Sequence, residues 1–190
     1  MSKNKVILFA FIIITMSACT SNGALNTDKL EVEQDEINTI FKPVEKQIAE
    51  EAIPFDMEYP TYLPFEYEET KVSISSWDNS NKKVVTTIKY PSIEEDVKWE
   101  KDSMAQPTIP HVEYTVANFD RYYSRYSIMN DYKEVEIKEG VLGYLKLVEM
   151  MNGVELHWFN DGKEYNLFLL YFSEDKKEIK NEIIKIANSI

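Results

Sequence analysis

Val154-Glu155-Leu156-His157-Trp158-Phe159-Asn160-Asp161-Gly162-Lys163-Glu164-Tyr165-Asn166-Leu167-Phe168-Leu169-Leu170 is two apolar-rich runs joined by Asp-Gly. Asp-Gly supplies the positive backbone φ angles that a two-residue β-turn needs, so this stretch predicts an antiparallel hairpin. Successive strand side chains point to opposite faces, so His157 and Trp158 must face opposite ways. Working outward, Glu134 to Ile137 and Val141 to Met150 are joined by Glu139-Gly140, and Asn152-Gly153 leads into Val154. Four strands in a row make a meander.

Upstream, Lys71 to Trp77 and Lys83 to Tyr90 are β-branched and aromatic, with Asp78-Asn79-Ser80-Asn81 between them, which predicts a further hairpin. Val112 to Asn118 reads as a strand as well. Pro54, Pro60 and Pro64 punctuate an aromatic segment, Phe55 to Phe65, that fits neither helix nor central strand and should wrap over the core. Glu94-Glu95-Asp96 and the two prolines of Gln106 to Pro110 mark loops. Ile37, Ile40, Phe41, Val44 and Ile48 recur at helical spacing, interrupted by Pro43, which predicts two short helices or one kinked helix between about Leu30 and Ala52. Ile179, Ile183, Ile186 and Ile190 give a last helix, with Ser173 read as its cap and Glu174 and Asp175 suited to its positive end. The expected fold class is therefore α+β: an antiparallel sheet, with N-terminal and C-terminal helices packed on one face.

The first residues carry an address. Lys3 and Lys5 precede an unbroken apolar run, Val6 to Ile14, about half the ~20 residues that a spanning helix needs. This is the charged and hydrophobic part of a secretion signal. It ends in Thr15-Met16-Ser17-Ala18-Cys19, small residues before the one cysteine of the chain. That ending resembles the bacterial lipoprotein lipobox, with Met16 in place of the usual leucine, and implies lipidation of Cys19, which becomes the mature N-terminus. Two acyl chains suffice for stable attachment to a membrane where one is marginal. The expected organisation is residues 1–18 as signal, 19–30 as lipidated cysteine and polar tether, and 31–190 as a single globular domain. The expected location is the extracytoplasmic face of the cell membrane.

Val135 to Ile190 resembles a domain of unknown function found in lipoproteins and extracytoplasmic regulatory regions of Gram-positive, spore-forming bacteria. The carrying residues are Gly140-Val141-Leu142-Gly143-Tyr144, Leu156-His157-Trp158 with Asp161-Gly162-Lys163-Glu164-Tyr165, and Ile183 to Ile190. Tyr59-Pro60-Thr61-Tyr62-Leu63-Pro64 looks like the opening of the same domain. The resemblance implies an α+β envelope domain distantly similar to lipoprotein-carrier folds, and it brings no catalytic residue.

Composition narrows the function. Removing residues 1–18, with Lys3 and Lys5, takes the formal charge from −12 to −14. Such a balance repels phosphate backbones, which argues against nucleic acid as a partner. With its lone cysteine assigned to lipid and two histidines, His111 and His157, the chain offers no Cys-His pair. It holds no Gly-x-Ser-x-Gly or His-Glu-x-x-His motif, and its five glycines form no phosphate loop. Asp78 to Asn81 lacks the glycine and closing glutamate of a calcium loop. No catalytic residue, metal ligand or cofactor is therefore expected.

Phe119 to Tyr132 stands apart, with the only two arginines, Arg121 and Arg125, among Tyr122, Tyr123, Tyr126 and Tyr132. On a helical turn, arginines four apart share a face, and tyrosines add flat, rigid contact surface. Two readings stand: a patch that recognises an envelope protein or a cell-wall ligand, or a core edge whose arginines answer nearby acid. The functional expectation is a non-enzymatic, lipid-anchored binding module. The alternative is a carrier that encloses an apolar ligand between sheet and helices.

Overall fold

The computed structural model describes residues 23–68, 70–78, 80–93 and 109–190. The signal and Cys19, the acidic run 94–96, Trp99 and Gln106 lie outside the described residues. Nine strands form one antiparallel sheet: β1 (Val32–Asp35), β2 (Thr39–Val44), β3 (Val72–Ser76), β4 (Val84–Pro91), β5 (His111–Ala117), β6 (Lys133–Lys138), β7 (Val141–Val148), β8 (Gly153–Asn160) and β9 (Lys163–Leu170). Three α-helices accompany them: α1 (Lys46–Ala52), α2 (Tyr123–Tyr126) and α3 (Lys176–Asn188). The fold is broadly α+β, with little helix.

The strand order is β1-β2-β3-β4-β5-β9-β8-β7-β6, so two meanders meet where β5 pairs with β9. The chain leaves β5 in mid-sheet and must pass β9, β8 and β7 before entering at the far edge as β6. Residues 118–132 make that crossing, and α2 lies within them. This long-range closure joins the predicted hairpins into one sheet.

Alternation assigns the two faces. Val112, Tyr114 and Val116 on β5, Val154, Leu156 and Trp158 on β8, and Tyr165, Leu167 and Leu169 on β9 share one buried apolar cluster. Ile179, Ile183 and Ile186 of α3 and Ala49 and Ala52 of α1 join it, with Met57, Tyr59 and Leu63 of the proline-punctuated wrap against it. At about 25 cal/mol per Å2 of apolar surface removed from water, this cluster is the main stabilising contribution. The other face is polar: cross-strand pairing aligns His157, Asn166, Thr115, Thr87 and Ser73 in one row over five strands.

Three expectations need correction. Residues 32–44 are a hairpin, not helix. Ile37 is exposed at its tip and Phe41 alone is buried in β2, so the apparent helical period was coincidental. Pro43 instead falls where the β2–β3 register shifts, a place where a strand tolerates a missing N–H. Asp175, not Ser173, caps α3, its carboxylate accepting from the N–H groups of Lys177 and Glu178. Within the stretch read as tether, Leu25 is buried and donates its N–H to the Asn81 carbonyl at 2.8 Å.

The turns follow their residues. Asp161 and Gly162 both have positive φ, 49° and 75°, closing the β8–β9 hairpin in two residues. Gly153 has a different reason: a Cβ there would lie 2.5 Å from the Leu169 carbonyl oxygen. Gly153→Ala is therefore expected to lower stability by about 1–3 kcal/mol through overpacking, measured by urea unfolding.

Candidate functional site

Glu164 enters β9 directly after the Asp161-Gly162 turn, paired with Ala117 on one side and Phe159 on the other. It therefore lies beneath the start of the crossover. Its carboxylate is fully buried, and Oε2 accepts from three successive backbone N–H groups: Arg121 at 2.6 Å, Tyr122 at 2.9 Å and Tyr123 at 3.2 Å. Arg121 Nη2 stands 3.4 Å from Oε1, a charge contact without hydrogen-bond geometry. A buried carboxylate needs such compensation, since an isolated one costs several kcal/mol. Glu164 is thus compensated through Oε2 and by the Arg121 charge, while Oε1 accepts no hydrogen bond, and it acts as a clamp on the chain.

The clamp sorts the five predicted binding residues. Arg121 is mostly buried over Glu164, its guanidinium 5.9 Å from the Trp77 ring and 6.0 Å from the Tyr122 ring. Tyr123 stacks on Phe159 at 5.9 Å and contacts Tyr144 at 5.4 Å. Tyr126 lies over the His157 ring at 4.0 Å, and burial first, then nearby carboxylates, push its hydroxyl up to about 12. These three hold the segment onto the sheet. Tyr122 and Arg125 face outward, the Arg125 guanidinium 5.5 Å over the Tyr122 ring. Among the described residues no carboxylate pairs with Arg125. The two arginines do flank one surface, but Arg121 precedes α2, so the Tyr122 ring brings them together, not helical spacing.

Beneath Tyr126 lies a polar group that motif reading missed. Asn166 Nδ2 is 2.7 Å from His157 Nδ1, and His157 Nε2 is 3.4 Å from Glu155. Tyr132 donates its hydroxyl to Glu155 at 2.6 Å, and Lys146 reaches both Glu155, at 3.6 Å, and Asp131, at 2.7 Å. A second pair at alternate strand positions, His111 and Glu113 on β5, lies on the same face, 3.4 Å apart, with Lys89 beside Glu113. The signal was Glu-x-His and His-x-Glu within strands, which place both side chains on one face. His157 is almost fully buried under Tyr126 and Tyr132, so this network orders the polar face; it does not open onto a cleft.

Among the described residues, no three His, Cys, Asp or Glu side chains gather as a metal site, and no helix is long and apolar enough to cross a membrane. No protein-family model, curated protein or solved structure matches the chain.

The network gives a pH dependence. Burial pushes the Glu155 carboxyl up, but the hydrogen bonds from His157 and Tyr132 and the charge of Lys146 together hold it below the ordinary glutamate value. A carboxyl depressed in the folded state stabilises above its unfolded-state pKa and ceases to do so as pH falls through its folded-state pKa. Thermal unfolding followed by circular dichroism should show Tm falling between roughly pH 5 and pH 3, with a shallower fall in Glu155→Gln. The same variant should have the lower Tm at neutral pH, because Tyr132 and His157 lose the carboxylate they share, while Lys146 keeps Asp131.

Proposed function

We propose that the chain is a lipid-anchored protein of the cell envelope, held at the extracytoplasmic face by acyl chains on Cys19, whose domain is a non-enzymatic interaction module. The anchor rests on the signal-like run and the small residues before Cys19. In this reading the terminal helices cover one face of the sheet, and the crossover on the opposite face meets the partner, an envelope protein or a cell-wall ligand.

One observation carries the interaction reading. The crossover is fixed from below by Glu164, yet it presents Tyr122 at 39% exposure, Ile128 at 82% and Met129 at 44%, beside Arg125, with which no carboxylate among the described residues pairs. Large side chains held rigidly at a surface lose little conformational freedom on binding, and tyrosine and arginine are the types that most often anchor interfaces. The space that a carrier would need is occupied by the chain itself: Leu156, Leu167, Leu169, Ile183 and Ile186 have almost no exposed surface between β8, β9 and α3. Close packing of this kind favours the interaction module over the carrier.

The test is in the native envelope. The full chain with a photoreactive residue in place of Ile128 is expected to give one discrete cross-linked product, lost when Arg125→Glu is added. Cys19→Ser should shift the protein from the membrane to the soluble fraction. Absence of any cross-linked product would contradict the interaction module, and unchanged fractionation would contradict the anchor.

A further inference from the structure

The far edge of the sheet carries a second surface, which shares no residue with Tyr122, Arg125, Ile128 or Met129. β6 begins at Lys133, opposite Leu145, whereas β7 runs on to Val148. Among the described residues, the outer edge of Lys146–Val148 therefore has no strand beside it. Against this edge lies an open notch of ≈ 170 Å3, lined by Asp131, Lys133, Leu145, Lys146, Leu147, Glu149 and Lys180.

The charges in the notch do not balance internally. Asp131 pairs with Lys146 and Glu149 pairs with Lys176, which accounts for both acids. Lys133 and Lys180 have no carboxylate within ion-pair distance among the described residues, and Lys180 is half-buried on α3. Three lysines against two acids give the leucine-floored notch a net positive charge on a chain of formal charge −12. The local sign is reversed, so an anion is the complementary ligand.

Three features coincide: an open strand edge, an apolar floor of Leu145 and Leu147, and free ammonium groups on both sides. An open edge accepts an extended backbone, apolar pockets accept its side chains, and cations accept its terminal carboxylate. We propose that this notch binds the carboxyl-terminal end of a peptide chain, two or three residues long in its contact. The last side chain is apolar and rests on Leu145 and Leu147, and the terminal carboxylate lies between Lys133 and Lys180. A free carboxylate is what separates this ligand from an internal peptide segment.

The full chain, purified in detergent, would be titrated into a fluorescein-labelled Gly-Ala-Leu peptide with a free carboxyl terminus and into its terminal amide, with binding read by fluorescence anisotropy. The free acid is expected to bind, with the amide weaker by about tenfold or more. Lys133→Gln with Lys180→Gln, at two lysines that have no ion-pair partner among the described residues, should weaken the free acid by a similar factor while leaving Tm unchanged. Equal binding of acid and amide would overturn the proposal. So would the absence of binding by either at millimolar chain, or undiminished binding by the double variant. Displacement of the peptide by inorganic phosphate at the concentration where acetate also displaces it would show a simple anion site and would likewise overturn it.

Discussion

A carboxylate with no exposure to solvent sits where the chain leaves one half of the sheet for the other. Glu164 accepts three consecutive backbone N–H groups and faces the Arg121 guanidinium, so its desolvation is offset by charge-assisted hydrogen bonds and an opposite charge. The chain after β5 could leave the sheet in many directions. Fixing residues 121–123 above β9 selects one, and it delivers Tyr123 to Phe159 and Tyr126 to His157. From there the segment reaches the far edge, and the second meander returns to β5. The joining of the two meanders and the shape of the outer surface thus depend on one buried acid.

The two faces of the sheet divide the work. One is apolar and packs against α3 along β8 and β9, with Leu156, Leu167 and Ile183 fully buried, and it supplies stability. The other carries a row of His, Asn and Thr and two His–Glu pairs, covered in part by tyrosines. Aromatic rings there cover polar groups and partner some of them: Tyr132 gives its hydroxyl to Glu155 while its ring, with that of Tyr126, encloses His157. Lys146 and Asp131 extend that network toward the open edge of β7, where the unpaired lysines begin.

The meander was legible because its information is local. Asp161-Gly162 and Glu139-Gly140 announce turns by their backbone needs, and the apolar runs between them have strand length. The hairpin of β1 and β2 was not legible, because five apolar residues at chance helical spacing outweighed a proline that falls at a strand irregularity. The β5–β9 pairing joins segments nearly fifty residues apart, and no nearby residue pattern encodes it. The binding segment was found by its composition, two arginines among tyrosines, but its division into inward and outward residues was not. That division is set by Glu164, one of many acids in an acidic chain, with nothing in its immediate neighbours to mark it as buried. The His–Glu pairs were missed, because each histidine was weighed singly and not with the glutamate two positions away on the same strand face.

The most direct test of this account is amide hydrogen exchange in Glu164→Gln, an isosteric change that keeps volume and removes charge. The N–H groups of Arg121, Tyr122 and Tyr123 should exchange faster by orders of magnitude, and stability should fall by about 3 kcal/mol as Arg121 loses its counter-charge. Unchanged protection at these three amides would mean that the crossover is held by its tyrosine contacts alone, contradicting the role assigned to Glu164.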